Sequence, residues 1–321
     1  MRMFRSTLLL GLAGMLLLIG CRRTTQKAER SLPREGAIVL SDALGHTVSL
    51  PRPAQRVVSL QPNNTEIMFA LGLGDRLVAV TKYCDYPPEA KQKPNVGDLL
   101  APSVERILSF KPDLVLVGQG TDMRVVQALE GLHVATFAVH PTTVQGVLGA
   151  VLDVGTLCGA RTQAEKVVSA LRSRLEAVNG KTAALPADER PRVLYGYPEV
   201  PMHTASGRTF IGDIIRLAGG SNIAERDPME WPTLGLEAVL KADPQVIISG
   251  YSSDYLSRDE AEKRWAALKA EPVWRDIAAI KNNRVYLLNL DVVLRPGPRV
   301  LDGLEDVARC LHPELFGALR Q

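Results

Sequence analysis

The residue types that perform chemistry are present in this chain, but they are not assembled for it. Five histidines (His46, His133, His140, His203 and His312) stand singly. Cys84, Cys158 and Cys310 follow Cys21 at spacings unlike a metal site, and their odd number leaves at least one thiol unpaired. Read structurally, they are small, buried, apolar residues. There is no Gly-x-Ser-x-Gly elbow, His-Glu-x-x-His helix, Walker loop or Gly-x-Gly-x-x-Gly turn after a strand. No catalytic residue is therefore assigned, no enzyme is expected, and no histidine and carboxylate cluster offers a bare metal ion a site. What does form a pattern is a pair of glutamates. Ser103-Val104-Glu105-Arg106-Ile107-Leu108 leads to Lys111-Pro112-Asp113-Leu114-Val115-Leu116-Val117-Gly118, and Gly235-Leu236-Glu237-Ala238-Val239-Leu240 leads to Asp243-Pro244-Gln245-Val246-Ile247-Ile248-Ser249-Gly250. With one fixed offset the glutamate, the Ile/Val, the Leu, the proline, the strand and the terminal glycine coincide. In the first turn of a helix each carboxylate favours the local dipole.

The elements around these residues repeat as well. Val57 to Leu60 reads as a strand, Asn64 to Leu71 as a helix and Leu77 to Thr81 as a strand. Residues 102–110 are helical, Asp113 to Gly118 is a buried strand, and a helix over Val125 to Leu132 precedes a strand over Val134 to Val139. The second half follows suit, with strands at Val193 to Gly196, Val246 to Ser249 and Val285 to Leu288. Helices fall near Gly212 to Leu217 and Leu236 to Lys241. Alternating strands and helices predict parallel, helix-covered sheets. Between the halves, Ala164, Val167, Val168, Leu171, Leu175 and Val178 lie on one helical face, with Gly180 and Pro186 as stop signals. The predicted fold is α/β, two Rossmann-like lobes with parallel sheets joined by a single long α-helix. Its divisions are an N-terminal lobe over 36–160, a connecting helix over 161–186 and a C-terminal lobe over 187–321. Such a connector resists wide hinge motion, because bending it breaks backbone hydrogen bonds.

The chain begins with a signal for export. Arg2 and Arg5 precede an apolar stretch from Leu8 to Ile19, too short to span a membrane and of signal-peptide length. It ends in Leu18-Ile19-Gly20-Cys21, which resembles a bacterial lipobox. That implies removal of residues 1–20 and acylation of Cys21, with 21–35 as a basic tether. Elsewhere no apolar run approaches spanning length, so a channel or permease is not expected. The net charge of +3, with no basic and aromatic stripe, argues against nucleic acid as a partner.

From about 56 to 316 the chain is similar to the helix-linked class of ABC-importer binding proteins, which carry cobalamin, haem and ferric siderophores. Arg56-Val57-Val58-Ser59-Leu60-Gln61-Pro62-Asn63-Asn64-Thr65-Glu66 resembles the first strand and turn of that class. Tyr83-Cys84-Asp85-Tyr86-Pro87-Pro88, Lys111-Pro112-Asp113-Leu114-Val115 and Arg295-Pro296-Gly297-Pro298-Arg299 follow in order. The second and last of these segments look closest to the cobalamin-binding branch, although Gly97-Asp98-Leu99 lacks an aromatic that the branch often carries. The resemblance implies ligand contacts at Asn63 and Tyr83 from one lobe and at Trp231, Asp291 and Arg295 from the other. Tyr83 can lie on a flat macrocycle, or simply pack on its Pro-rich turn. Asp accepts and Arg donates, which suits carboxamides, the bland alternative being a surface ion pair. His203 matches another cleft position, within reach of the metal of a bound cofactor or merely exposed. Glu105 and Glu237 are implied to dock on arginines of the permease dimer, whose ATPase drives import. Cobalamin is then cargo and no cofactor is held. A haem or ferric-siderophore carrier is the alternative, with Tyr83 or His203 as a haem's axial ligand, or with several arginines for an anionic siderophore. The implied location is the periplasm or the outer face of the cell membrane.

Overall fold

The computed structural model describes residues 36–118, 120–252 and 256–319. The segment 1–20, the anchor Cys21 and the tether 21–35 lie outside the described residues. A hairpin comes first, β1 (Ile38–Ser41) pairing antiparallel with β2 (Thr47–Leu50). The N-terminal lobe then alternates β3 (Val57–Ser59), α1 (Pro62–Ala70), β4 (Leu77–Val80), α2 (Val104–Ser109), β5 (Leu114–Gly118), α3 (Met123–Gly131) and β6 (Thr136–Val139). Helices α4 (Val144–Leu157) and α5 (Arg161–Thr182) follow. The C-terminal lobe comprises β7 (Arg192–Tyr195), β8 (Met202–His203), α6 (Phe210–Leu217), β9 (Ser221–Asn222), β10 (Thr233–Leu234), α7 (Leu236–Ala242), β11 (Val246–Tyr251) and α8 (Arg258–Ala270). It continues through α9 (Ala278–Lys281), β12 (Val285–Asn289), α10 (Leu290–Val293), α11 (Val300–Leu311) and α12 (Pro313–Phe316).

Each lobe holds a parallel sheet, ordered β4-β3-β5-β6 in one and β12-β11-β7-β9 in the other. In both, the lobe's first strand lies between its second and its third, so the two sheets share one topology. The sequence repeat is this symmetry at residue level. Lys111 and Asp243, matching positions after α2 and α7, both take positive φ, 45° and 41°. Arg56 donates to the carbonyls of Phe110 and Lys111, and Arg192 to those of Ala242 and Asp243, so a guanidinium closes each helix end. The repeated glycines are also explained. A Cβ on Gly118 would meet Gln61 Cγ at 2.5 Å, and one on Gly250 would collide with Leu290.

Three apolar clusters hold the elements together. One face of the N-terminal sheet packs on α2 and α3, around Ile107, Val125 and Leu129. One face of the C-terminal sheet packs on α7 and α8, around Val239, Trp265 and Trp274. The remaining faces of both sheets share a single continuous cluster through α4, α5, α6 and α11. The connecting helix therefore runs along common core. It buries Ala164, Val168, Leu171, Leu175 and Val178, while Arg174 reaches Glu305 at 2.8 Å and Asp302 at 2.7 Å on α11. One expected boundary is corrected. Gly180 does not stop α5, which runs on to Thr182, where the hydroxyl donates to Leu217 O at 2.8 Å. A glycine inside a helix costs only about 1 kcal/mol, less than the burial it interrupts is worth. The single long connector is α5, and α4 precedes it within 36–160. Helix α4 buries Val144, Val147, Leu148, Val151 and Val154 at helical spacing, but its other positions include three glycines and Leu152, so little polar contrast marks that face in the sequence.

Candidate functional site

Parallel strands bring their following loops to one end of a sheet, and a crevice opens where successive crossovers part. Here the two lobes present such ends to a cleft of about 250 Å³. Its N-terminal wall is Gln61, Pro62 and Asn63 after β3, Leu99, and Val139 to Thr142 after β6. Its C-terminal wall is Arg208 to Ile211 at the start of α6, Glu230 and Trp231 before β10, and Leu294 to Pro296 after α10. The surface is mostly apolar with a few polar groups, as in sites that grip small molecules.

One end of the cleft is pinned by charge. Glu66, on α1 and only 3% exposed, receives Arg299 as a fork, Nε to Oε2 at 2.8 Å and Nη2 to Oε1 at 2.6 Å. Arg295 reaches the same carboxylate at 3.5 Å, Asp85 at 2.6 Å and Asp291 at 3.0 Å. Arg299 also donates to Asp291 O at 3.0 Å and lies 3.8 Å over the Tyr86 ring. Burial by itself would lower the pKa of both guanidinium groups. Asp85, Asp291 and Glu66 more than offset it, so both stay above their ordinary value. Glu66, Asp85 and Tyr86 belong to one lobe and Asp291, Arg295 and Arg299 to the other, so this cluster bridges them. Gly297 packs against the Asn63 backbone beside it, where a Cβ on the glycine would fall 3.5 Å from Asn63 Cα. A second tie stands at the far side, where Asp213 on α6 accepts the N–H of Val144, the first residue of α4, at 2.7 Å.

Another part of the lining is exposed. Trp231 is 46% exposed, on a loop fastened by Ser206 N–H to Glu230 O at 2.9 Å and Thr204 N–H to Pro232 O at 3.0 Å. Arg208 and Glu230 line the cleft beside it, and among the described residues neither side chain has an ion-pair partner.

Of the residues singled out in the sequence, Asn63, Trp231 and Arg295 line the cleft. Asp291 is outside the lining, behind Arg295 in the pinned cluster. Tyr83 is also outside it, its hydroxyl 3.5 Å from Asp98 and its ring under Lys82 at 4.7 Å. His203 is exposed and pairs with Glu199 at 3.0 Å away from the cleft, where the lining histidine is His140. No described group of three or more histidines, cysteines and acids is arranged to hold a metal ion. Cys84, Cys158 and Cys310 are buried free thiols, and desolvation pushes the latter two up to about 12. Glu105 and Glu237 are exposed at matching second positions of α2 and α7, and neither has a partner among the described residues. Sequence reasoning missed Glu66, Arg299, Asp85 and Tyr86 as a unit, and missed Arg208 altogether. The available signal was complementary charge: two acids in the first two motif segments and two arginines in the last.

A family model described as periplasmic binding protein matches residues 57–291. The chain is 31% identical over 284 residues to the uncharacterized ABC transporter substrate-binding lipoprotein YvrC of Bacillus subtilis (strain 168), covering 87% of each chain. Its fold matches the periplasmic vitamin B12 binding protein BtuF of Vibrio cholerae with a TM-score of 0.68 at 30% identity, covering 81% of this chain and 97% of that one. It also matches the periplasmic heme-binding protein BhuT in complex with two hemes, with a TM-score of 0.71 at 26% identity over 82% and 100% of the two chains.

Proposed function

The chain belongs to the periplasmic binding protein family and is an ABC transporter substrate-binding protein of the B12, haem and siderophore type; from that premise we propose that its ligand is cobalamin or a related corrinoid. The mature chain is a lipoprotein held through acylated Cys21 outside the cell membrane or in the periplasm. It captures its ligand between lobes 36–160 and 187–321 and delivers it to a permease dimer. Glu105 and Glu237, exposed at matching places in the two lobes and without a partner among the described residues, are the docking carboxylates. Such rim charges chiefly set orientation and on-rate. No chemical step is assigned to the chain, because import is driven by ATP hydrolysis elsewhere.

The observation that carries the corrinoid reading is the charge around Arg295. Three carboxylates surround two guanidinium groups, leaving that end of the cleft net negative. A corrinoid's rim of carboxamides meets a donor there in Arg295, which lines the cleft and is held by Asp291 behind it. The two propionates of a haem would meet like charge. Asn63, Tyr83 and Trp231 supply the remaining contacts, with Tyr83 swinging in from its place beside Asp98. The cleft is below the roughly 300–1,000 Å³ of sites that hold larger ligands. Corrinoid entry therefore requires widening, which the pinned end directs to the Trp231 loop. One observation favours a haem instead: His140 lines the cleft and is of a type that ligates iron.

The test is calorimetric titration of the full-length chain in detergent with cyanocobalamin, haem and a panel of ferric siderophores. One-to-one binding of cyanocobalamin alone is expected. Binding of haem with a histidine-type absorption shift lost in His140→Ala would replace the corrinoid reading.

A further inference from the structure

The two cationic side chains on the C-terminal wall of the cleft differ in how much of their charge is already used. Arg295 is 11% exposed at its side chain and meets three carboxylates, so little of its field is left for a ligand. Arg208 is exposed, lines the same cleft, and has no anionic partner among the described residues. Its backbone is held, because Arg208 N–H donates to Ser206 Oγ at 3.3 Å and Gly207 N–H to Glu225 O at 3.2 Å. A fixed backbone carrying a free guanidinium suits recognition of an oxyanion, which a planar fork of donors matches in shape as well as charge. Glu230 lies on the same wall with no ion-pair partner among the described residues, next to Trp231, and His140 lines the cleft from the other lobe. The wall thus offers one donor fork and one acceptor to a ligand that itself carries an anionic acceptor and N–H donors.

We propose that Arg208 is a specificity determinant that binds the anionic group of the ligand. This rests on the corrinoid reading above, and on that reading the group is the phosphodiester of the nucleotide tail, the single fixed negative charge beside an otherwise carboxamide-rimmed macrocycle. Glu230 accepts from the neighbouring carboxamide N–H groups. The site therefore selects complete corrinoids over those that lack the tail, and it does so through an arginine outside the motif segments.

The experiment is a four-way titration of the full-length chain, wild type and Arg208→Gln, with cyanocobalamin and with dicyanocobinamide, which lacks the nucleotide tail. Wild type is expected to prefer cyanocobalamin. Arg208→Gln is expected to lose roughly ten- to a hundredfold in affinity for cyanocobalamin and to leave cobinamide binding within about twofold, as loss of one charged hydrogen-bonded pair predicts. Arg208→Lys should recover part of the loss. Equal weakening of both ligands by Arg208→Gln, or no weakening of either, overturns the assignment while leaving the corrinoid reading intact. If wild type binds neither corrinoid but takes haem or an anionic siderophore, the corrinoid reading fails. Arg208→Gln must then weaken that ligand, or the anion assignment fails too. Binding of none of these probes sinks both.

Discussion

Two parts of the cleft use the same residue types in opposite ways. Around Glu66, carboxylates and guanidinium groups from both lobes are buried against one another. Around Trp231, Arg208 and Glu230 stand on one lobe without ion-pair partners among the described residues. Buried charge must be paired to be tolerated, so the first part holds the lobes together at a fixed separation. Unpaired charge in water costs nothing, so the second part is free to meet a ligand. An arginine in a binding cleft is thus not always a ligand contact first. Arg295 is a structural pin that also shows one face to the cavity.

The contrast is broken most directly at Glu66. Glu66→Ala leaves Arg299 buried without its carboxylate, and a loss of about 3–5 kcal/mol in urea-unfolding stability is expected. A loss under about 1 kcal/mol would mean that this part is solvated and pins nothing. Next come two lining residues, one from each part. Arg295→Ala should cost about 1–3 kcal/mol of stability and at least roughly tenfold in cyanocobalamin affinity together. Trp231→Ala should cost a similar factor in affinity while changing stability by no more than about 0.5 kcal/mol, as befits a half-exposed loop side chain. If both variants moved stability alike, the two parts would not differ. The smallest effect is expected away from both. Glu105→Ala and Glu237→Ala should each leave unfolding and ligand affinity within about 0.5 kcal/mol of wild type while slowing uptake in cells. Similar deficits from the two single variants, and a larger one from the double, would match their pseudo-symmetric positions.

Much of the fold was legible because its signals are local. Strands β3 to β7, β11 and β12 fall on short β-rich runs, whereas β1, β2 and the two-residue β8, β9 and β10 were not read, and the buried face of α5 follows the spacing of Ala164, Val168, Leu171, Leu175 and Val178. The repeated proline, strand and glycine announced two lobes of one topology. Helix α4 escaped because its glycines and few polar residues leave its buried face with little contrast. The cleft was legible only in part. Asn63, Trp231 and Arg295 do meet there, whereas Arg208 lies in a loop with no pattern, and Asp291 and Tyr83 stand behind or beside the lining.

By itself, the sequence determined the class of fold, the duplication and the segments from which the cleft is built, since each depends on residues near one another in the chain. Only the tertiary structure decided which charges are spent on one another and which remain for a ligand. Glu66 and Arg299 are far apart in sequence and 2.6 Å apart in space. Whether a guanidinium is a pin or a free donor depends on what the other lobe places beside it, and that distance is set by packing of the shared core.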